Sequence, residues 1–348
     1  MRKCFFTFFL FLFCAISCQH QQDRSYPSFF WGFAVDGFPI SQEVIEVQKE
    51  SRIIPEMIVF YLQWPAPSNQ YRSVTSSLDT IGELGAVPCL TWEPMTISDQ
   101  IEKMVPYENI LSGQYDHYLS SMAAEVKLWD KPLIIRFAQE MNISRYHWGT
   151  SKDDFGSLSP EIYIKMFQYI VNLFKKQKVD NVLWAFCPNV DSVPNEPWNS
   201  AKKYYPGDQY VDVFGMDGYN WNITEEIAAS RKQDWSLSWR TFEQIFKPLY
   251  EELKTIDSHK PIIVFETGSV NRPGDPKKSL WIQDALRVSK IWGIKGIVWF
   301  QVKKEEDWRI NQNDDYSYIP LIKPAKPSFQ TWLLNDLRLK RKRESAQE

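Results

Sequence analysis

The strongest constraint in this chain is an alternation of short apolar runs with amphipathic stretches along almost its whole length. The runs are Phe30–Val35, Met57–Gln63, Ala86–Trp92, Pro132–Ala138, Val182–Cys187, Val211–Met216, Pro261–Phe265 and Gly296–Phe300. Each is nearly continuous in apolar residues, the pattern of parallel strands covered on both faces. The segments between them carry a helical period. In Gln114–Trp129 the positions Tyr115, Tyr118, Leu119, Met122, Ala123 and Val126 form one stripe. Ser159-Pro160-Glu161 offers an N-cap, a first-turn proline and a first-turn acid ahead of Ile162–Phe174. Trp239–Leu253, Lys278–Ile291 and Ser328–Leu337 complete the set, and Pro248 is expected to kink or break the first of these. Strands interleaved with helices and no break in composition predict a single-domain α/β fold, a (β/α)8 TIM barrel, over residues 30–337. A doubly wound open sheet is the structural alternative. Its dinucleotide-binding version lacks the Gly-x-Gly-x-x-Gly turn after the first strand.

Arg2 and Lys3 precede an apolar run from Cys4 to Ile16 that only Thr7 interrupts. At about a dozen residues the run is too short to span a bilayer and has the length of a signal-peptide core. It ends in Ala15-Ile16-Ser17-Cys18, similar to a bacterial lipoprotein processing box. Residues 1–17 therefore read as a signal peptide with lipid attachment at Cys18, the alternative being simple cleavage after Ser17. Export is expected either way, with membrane contact only through that anchor and a polar linker over 18–29. Cys89 and Cys187 then remain, each inside an apolar run where a buried reduced thiol is the default. A net charge of −3 gives no electrostatic footprint for nucleic acid. The basic run Arg338 to Arg343 reads as part of a solvated tail over 338–348. His20, His117, His147 and His259 never approach ligand spacing, so neither a metal nor a cofactor is expected. Fifteen Trp, 16 Tyr and 22 Phe supply either a large aromatic core or rings lining a sugar cleft.

In a TIM barrel the chemistry lies at the C-terminal strand ends. Strand four ends Arg136-Phe137-Ala138-Gln139-Glu140, strand six Met216-Asp217-Gly218-Tyr219-Asn220-Trp221, strand seven Phe265-Glu266-Thr267-Gly268-Ser269, and strand eight Trp299-Phe300-Gln301. Glu140 and Glu266 would face each other across the mouth. Glycosidic cleavage needs such a pair, one carboxyl to protonate the leaving oxygen and one to attack or stabilise the anomeric carbon. Side-chain parity turns Arg136 and Glu140 inward. A buried arginine implies an anion, for which Glu266 and Asp217 are candidates. Gln139 has the wrong parity unless the strand bulges at its end. Singly, each residue has a structural explanation: Asp217-Gly218 as a turn, Trp299 as a barrel plug, Trp148 as packing beneath a loop.

Taken together, these residues resemble glycoside hydrolase family 26, barrel enzymes with the acid on strand four and the nucleophile on strand seven. The likeness runs from about Trp31 to the Trp308 region. It is carried by Thr91-Trp92-Glu93-Pro94, by Arg136 through Asn142 with Trp148-Gly149, and by Tyr205-Pro206-Gly207-Asp208 with Tyr210-Val211-Asp212. Asp217-Gly218-Tyr219-Asn220, Phe265 through Ser269, and Ile297 through Phe300 with Asp307-Trp308-Arg309 complete it. The resemblance implies that Glu140 is the general acid/base and Glu266 the nucleophile of a retaining double displacement, with Tyr219 hydrogen-bonded to the nucleophile. It implies that Trp148 and Trp299 wall the sugar subsites and that Arg136, Gln139, Trp92 and Trp221 bind or orient the sugar. One departure stands out: the family usually has His immediately before the acid/base, where this chain has Gln139.

A monomer is expected, and the resemblance further implies action on a β-linked polysaccharide, foremost as an endo-β-1,4-mannanase. A mixed-linkage or β-1,3-glucanase and a xylanase of the same family stand as alternatives. A surface carbohydrate-binding barrel without turnover is favoured only by Gln139. A barrel lyase or isomerase acting on phosphorylated sugars would use the Thr267-Gly268-Ser269 turn as an anion cradle.

Overall fold

A computed structural model describes residues 29–344 except 39, 41, 66–70, 100, 147, 149–155, 233–236, 273–276 and 312. The expected leader, Cys18 and nearly all of the polar linker lie outside the described residues. Eight parallel strands close a barrel: β1 (Phe30–Ala34), β2 (Met57–Gln63), β3 (Val87–Glu93), β4 (Leu133–Phe137), β5 (Val182–Phe186), β6 (Val213–Asn220), β7 (Ile262–Ser269) and β8 (Gly296–Phe300). They follow one another around the barrel in chain order, and β8 pairs with β1 from Phe30 opposite Gly296 to Ala34 opposite Phe300. That closure excludes the open sheet.

The apolar runs locate every strand, but β6 and β7 extend well past them. Asp217-Gly218-Tyr219-Asn220 continues the ladder opposite Glu266 to Ser269, after a register shift between Met216 and Asp217. Asp217-Gly218 is thus strand, not turn. Polar residues are tolerated there because they bond to one another at the mouth, as described below.

Around the barrel lie α1 (Gln42–Ser51), α2 (Thr75–Glu83), α3 (Asp116–Trp129), α4 (Ser159–Lys176), α5 (Phe242–Ile256), α6 (Lys278–Trp292) and α7 (Phe329–Glu344). Two 3₁₀ turns, Pro197–Asn199 and Ala201–Tyr204, stand where a helix after β5 belongs. α5 starts at a capping box, Thr241 with Gln244, and runs through Pro248 without the break that the proline could have imposed. Its apolar face, including Phe242, Phe246, Leu249 and Leu253, is buried and holds it in place. Ser159 is the first residue of α4 and not its cap; a 3₁₀ turn precedes it, and its buried hydroxyl finds no partner among the described residues. α7 continues to Glu344, into the segment expected to be a tail. A hairpin, Met95–Ser98 paired with Ile101–Met104, follows β3 and has no counterpart in the sequence reading.

Strand parity divides the core in two. Inward residues such as Phe30, Met57, Val59, Cys89, Ile134 and Val298 fill the barrel. Outward ones such as Phe33, Ile58, Phe60 and Phe137 pack against the helices through Leu119, Phe167, Phe246 and Trp281. Gly296 must be glycine, because a Cβ there would stand 2.4 Å from the Phe30 ring. α7 closes the bottom of the barrel: Phe329 lies 3.9 Å from Phe30, centroid to centroid, and Trp332 stacks on Phe329.

Candidate active site

The site is built on the last residues of β4. Arg136 is fully buried inside the barrel, where its Nε and Nη2 donate to Thr91 Oγ1 at 3.0 and 2.8 Å. Nη1 donates to Asp217 Oδ2 at 2.7 Å and Nη2 to Glu266 Oε1, so both expected anions are present. A buried guanidinium needs such pairing, and two carboxylates hold its pKa well above the ordinary value against the opposing effect of burial. The Cys187 thiol, buried beside it, donates to Asp217 Oδ1 at 3.2 Å.

After Phe137 the strand parity fails. Ala138 and Glu140 both adopt left-handed backbone, with φ of 48° and 53°. Such conformations are disfavoured for residues with a Cβ and persist where the surroundings enforce them. Here Ala138 N–H donates to Trp92 O at 3.1 Å and Glu140 N–H to Cys187 O at 2.8 Å. The irregularity turns Glu140 toward β5, where Asn189 Nδ2 donates to its Oε1 at 2.5 Å. It also turns Gln139 to β3, where its Nε2 donates to Glu93 at 2.8 Å. Gln63 Nε2 donates to the other oxygen of Glu93 at 2.5 Å, while Gln139 Oε1 is buried without a partner among the described residues.

Asn142 ties the neighbouring loops together. Its Nδ2 donates to Asn189 O at 2.9 Å and to Asp191 O and Ser192 Oγ at 3.2 Å, while its Oδ1 accepts from Asn189 N–H at 2.8 Å. Its carbonyl accepts from Val193 N–H at 2.8 Å and from Asn199 Nδ2 at 2.9 Å.

Glu266, on β7, accepts from three donors: Arg136 and the Tyr61 hydroxyl (2.7 Å) on Oε1, and the Tyr219 hydroxyl (2.6 Å) on Oε2. Burial works to raise its pKa, but the Arg136 charge and these hydrogen bonds outweigh burial and hold it below the usual carboxylate value. Glu140 is equally enclosed, and each of the two is 7% exposed. Burial first, then the charge of Glu266, pushes Glu140 up to about 7 against the pull of Asn189 and Arg136. Burial also pushes Glu93 upward, against its two amide donors.

The aromatic residues sort differently from the expectation. Trp92 is fully buried on the outer side of β3, among Trp64, Tyr118 and Phe174, with its Nε1 donating to Tyr118 at 2.8 Å. Trp299 is likewise buried on the outer side of β8, stacked on Trp31 and edge-on to Trp281, with Nε1 on Trp308 O. The parity that points Arg136 inward points both indoles outward, so neither faces a sugar. Trp148 is 4% exposed; it stacks on Tyr146 at 4.5 Å and donates to Gln139 O at 2.7 Å, so it backs the site from behind Tyr146. Trp221 is half-buried at the mouth, edge-on to Trp308, whose ring also lies 4.8 Å from Tyr219. Gly268 lets Trp308 lie against β7, since a Cβ there would come within 2.8 Å of its ring.

Tyr61, Thr91, Asn189, Tyr146 and Trp308 therefore join the site without having been assigned roles from sequence. Tyr61 was within reach: in Met57–Gln63 it shares the inward parity of Met57 and Val59 and is the first polar group on that face. Asn189 carried no such signal, because its loop follows β5 without a periodic pattern. Among the described residues, no group of three or more His, Cys, Asp or Glu side chains is placed to share a metal ion.

A sequence profile described as glycosyl hydrolase family 26 matches residues 86–233. The chain is 32% identical over 257 residues to endoglucanase H of Acetivibrio thermocellus, an alignment covering 73% of this chain and 26% of that protein. It is 26% identical over 134 residues to a mannan endo-1,4-beta-mannosidase of Bacillus subtilis, covering 36% of this chain and 34% of the relative. The chain thus spans about a quarter to a third of the length of these two curated relatives. Among solved structures, a Bacillus subtilis mannanase superposes with a TM-score of 0.58 at 17% identity, covering 84% of this chain and 85% of that one. A family 26 β-mannanase from Bacteroides ovatus gives 0.58 at 18% identity, over 84% and 87%. These two likenesses speak to the barrel alone. By the profile match, the long alignment and two glutamates at the ends of β4 and β7, the chain is similar to glycosyl hydrolase family 26.

Proposed function

We propose that this chain is a retaining glycoside hydrolase acting on a β-linked polysaccharide, foremost an endo-β-1,4-mannanase, with Glu266 as nucleophile and Glu140 as acid/base. The observation that carries this reading is the opposite tuning of two equally buried carboxyls. Three donors favour ionised Glu266, whereas burial and the Glu266 charge keep Glu140 protonated toward neutral pH. In the first half-reaction the Glu266 carboxylate attacks the anomeric carbon as Glu140 gives its proton to the departing oxygen. Formation of the ester removes the negative charge of Glu266, which lowers the Glu140 pKa and fits it to take a proton from the incoming water. Mannan is the first substrate because the curated relatives named as mannan endo-1,4-beta-mannosidases come from three genera. A second reading, a β-glucan substrate, is favoured by endoglucanase H, which aligns over 73% of this chain.

The test is hydrolysis of β-mannan, mixed-linkage glucan, β-1,3-glucan and xylan by the wild type, Glu140→Ala and Glu266→Ala. Cleavage of mannan with retained anomeric configuration, and a loss of about 10³-fold or more in each variant, is expected. Cleavage confined to a β-glucan would transfer the reading to the second substrate. Binding without cleavage would replace it with a carbohydrate-binding barrel. The leader and Cys18 add the proposal of an exported, lipid-anchored protein, which the mass of the mature N-terminal peptide tests.

A further inference from the structure

We infer that Tyr61 positions the nucleophile and that its hydrogen bond determines which oxygen of Glu266 attacks. The inference rests on the reading of Glu266 as nucleophile. The two carboxylate oxygens have unequal surroundings: among the described residues, Oε1 accepts from both Tyr61 and Arg136, and Oε2 from Tyr219 alone. A carboxylate oxygen offers two lone-pair sites in the carboxylate plane. Oε1 is therefore fully engaged, and Oε2 keeps a lone pair free, which makes Oε2 the attacking atom.

The consequences can be followed through the reaction. The bond from Oε2 to the anomeric carbon forms while the bond from that carbon to the leaving oxygen breaks, and the leaving oxygen takes the Glu140 proton. In the resulting ester Oε1 is the carbonyl oxygen and keeps both of its donors. In the second half, water gives a proton to Glu140 and bonds to the anomeric carbon, and Oε2 departs with its electron pair as carboxylate. Oε1 stays in place throughout, and it is Tyr61 that holds it from the far side of the barrel mouth.

The location of Tyr61 suits that task. β2 and β7 are not adjacent in the barrel, so the contact crosses the interior and is no by-product of strand pairing. The ring is braced edge-on by Phe300 at 6.4 Å, and the Arg136 guanidinium carbon lies 5.9 Å from its centre. Burial and the neighbouring Glu266 charge keep the phenol protonated, as a donor must be.

Tyr61→Phe preserves the ring and removes the donor. Two readouts separate positioning from bulk. The first is ¹³C NMR titration of the Glu266 carboxyl in the free protein, assigned by loss of the signal in Glu266→Gln. Loss of one donor should move its pKa up by about one unit. The second is hydrolysis of the polymer that the wild type cuts, where kcat should fall about 10- to 100-fold with KM little changed, because the lost interaction belongs to the reacting group. An unmoved titration, or a moved one with unchanged kcat, overturns the inference. If Tyr61→Phe does not fold, 3-fluorotyrosine at position 61 keeps the ring and strengthens the donor; the Glu266 pKa should then move down, and no movement overturns the inference. If the wild type cuts no polymer, the glycanase reading fails, while the titration still decides whether Tyr61 governs Glu266.

Discussion

Glu140 and Glu266 share one barrel mouth and the same degree of enclosure, and the difference between them is a matter of donors. Among the described residues, Glu266 has an arginine and two phenols, and Glu140 a single amide, from Asn189. The pH dependence of kcat/KM should follow. On the proposed mechanism Glu140 must carry its proton to act first as an acid, so activity should fall as pH rises through about 7. Glu266 must be ionised, so the acidic limb lies below the ordinary glutamate value, on the side of its depressed pKa. Asn189→Ala removes a bond that favours ionised Glu140 and should carry the alkaline limb to higher pH while the acidic limb stays in place. A pH profile whose alkaline limb does not respond to Asn189→Ala would remove Glu140 from the role of acid. Gln139 cannot titrate in this range, so position 139 contributes no further limb.

At the scale of elements, the strands were the readable part. Parallel barrel strands are buried on both faces, and their apolar runs declare them wherever the core is apolar. The reading stopped short on β6 and β7 because their last residues are buried through hydrogen bonds and not through hydrophobicity. Both catalytic candidates and Arg136 came from position plus parity. The same parity, applied to Trp92 and Trp299, places them in the outer layer; the family likeness had drawn them inward. The left-handed turn at Ala138 to Glu140 broke the alternation locally, and nothing in Ala-Gln-Glu announces it. The hairpin after β3 is short and its tip exposed, so it leaves little hydrophobic trace. Gly268 offers a test at this scale. A methyl group there would displace Trp308, and through it Tyr219 and Trp221. Gly268→Ala should lower kcat/KM about tenfold or more while costing only about 1–3 kcal/mol of stability as overpacking. A loss of stability without a loss of activity would separate Trp308 from the site.

For the whole molecule, the site opposes the fold. A carboxyl whose pKa is raised on folding binds its proton more tightly in the folded chain, so stability declines as pH climbs from the unfolded value of 4.5 to about 7 and stays reduced above it. Across that window the cost is roughly 3 kcal/mol, at 1.36 kcal/mol per pKa unit. Glu140→Gln keeps an oxygen for Asn189 and has no charge to bury. It should therefore stabilise the protein at pH 8 by up to roughly 3 kcal/mol, show little gain at pH 4, and abolish turnover. Denaturant titrations at the two pH values measure the difference; an equal effect at both would show that ionisation of Glu140 does not cost the fold stability. Another whole-molecule consequence belongs to Asn142, whose side chain and carbonyl bind residues 189–199 from the loop after β4. Because Asn189 in turn touches Glu140, these two loops are a single heritable piece: recombination that brought in one without the other would separate Glu140 from its partner, so new specificities on this barrel must arise by exchanging both together or by remodelling the loops after other strands.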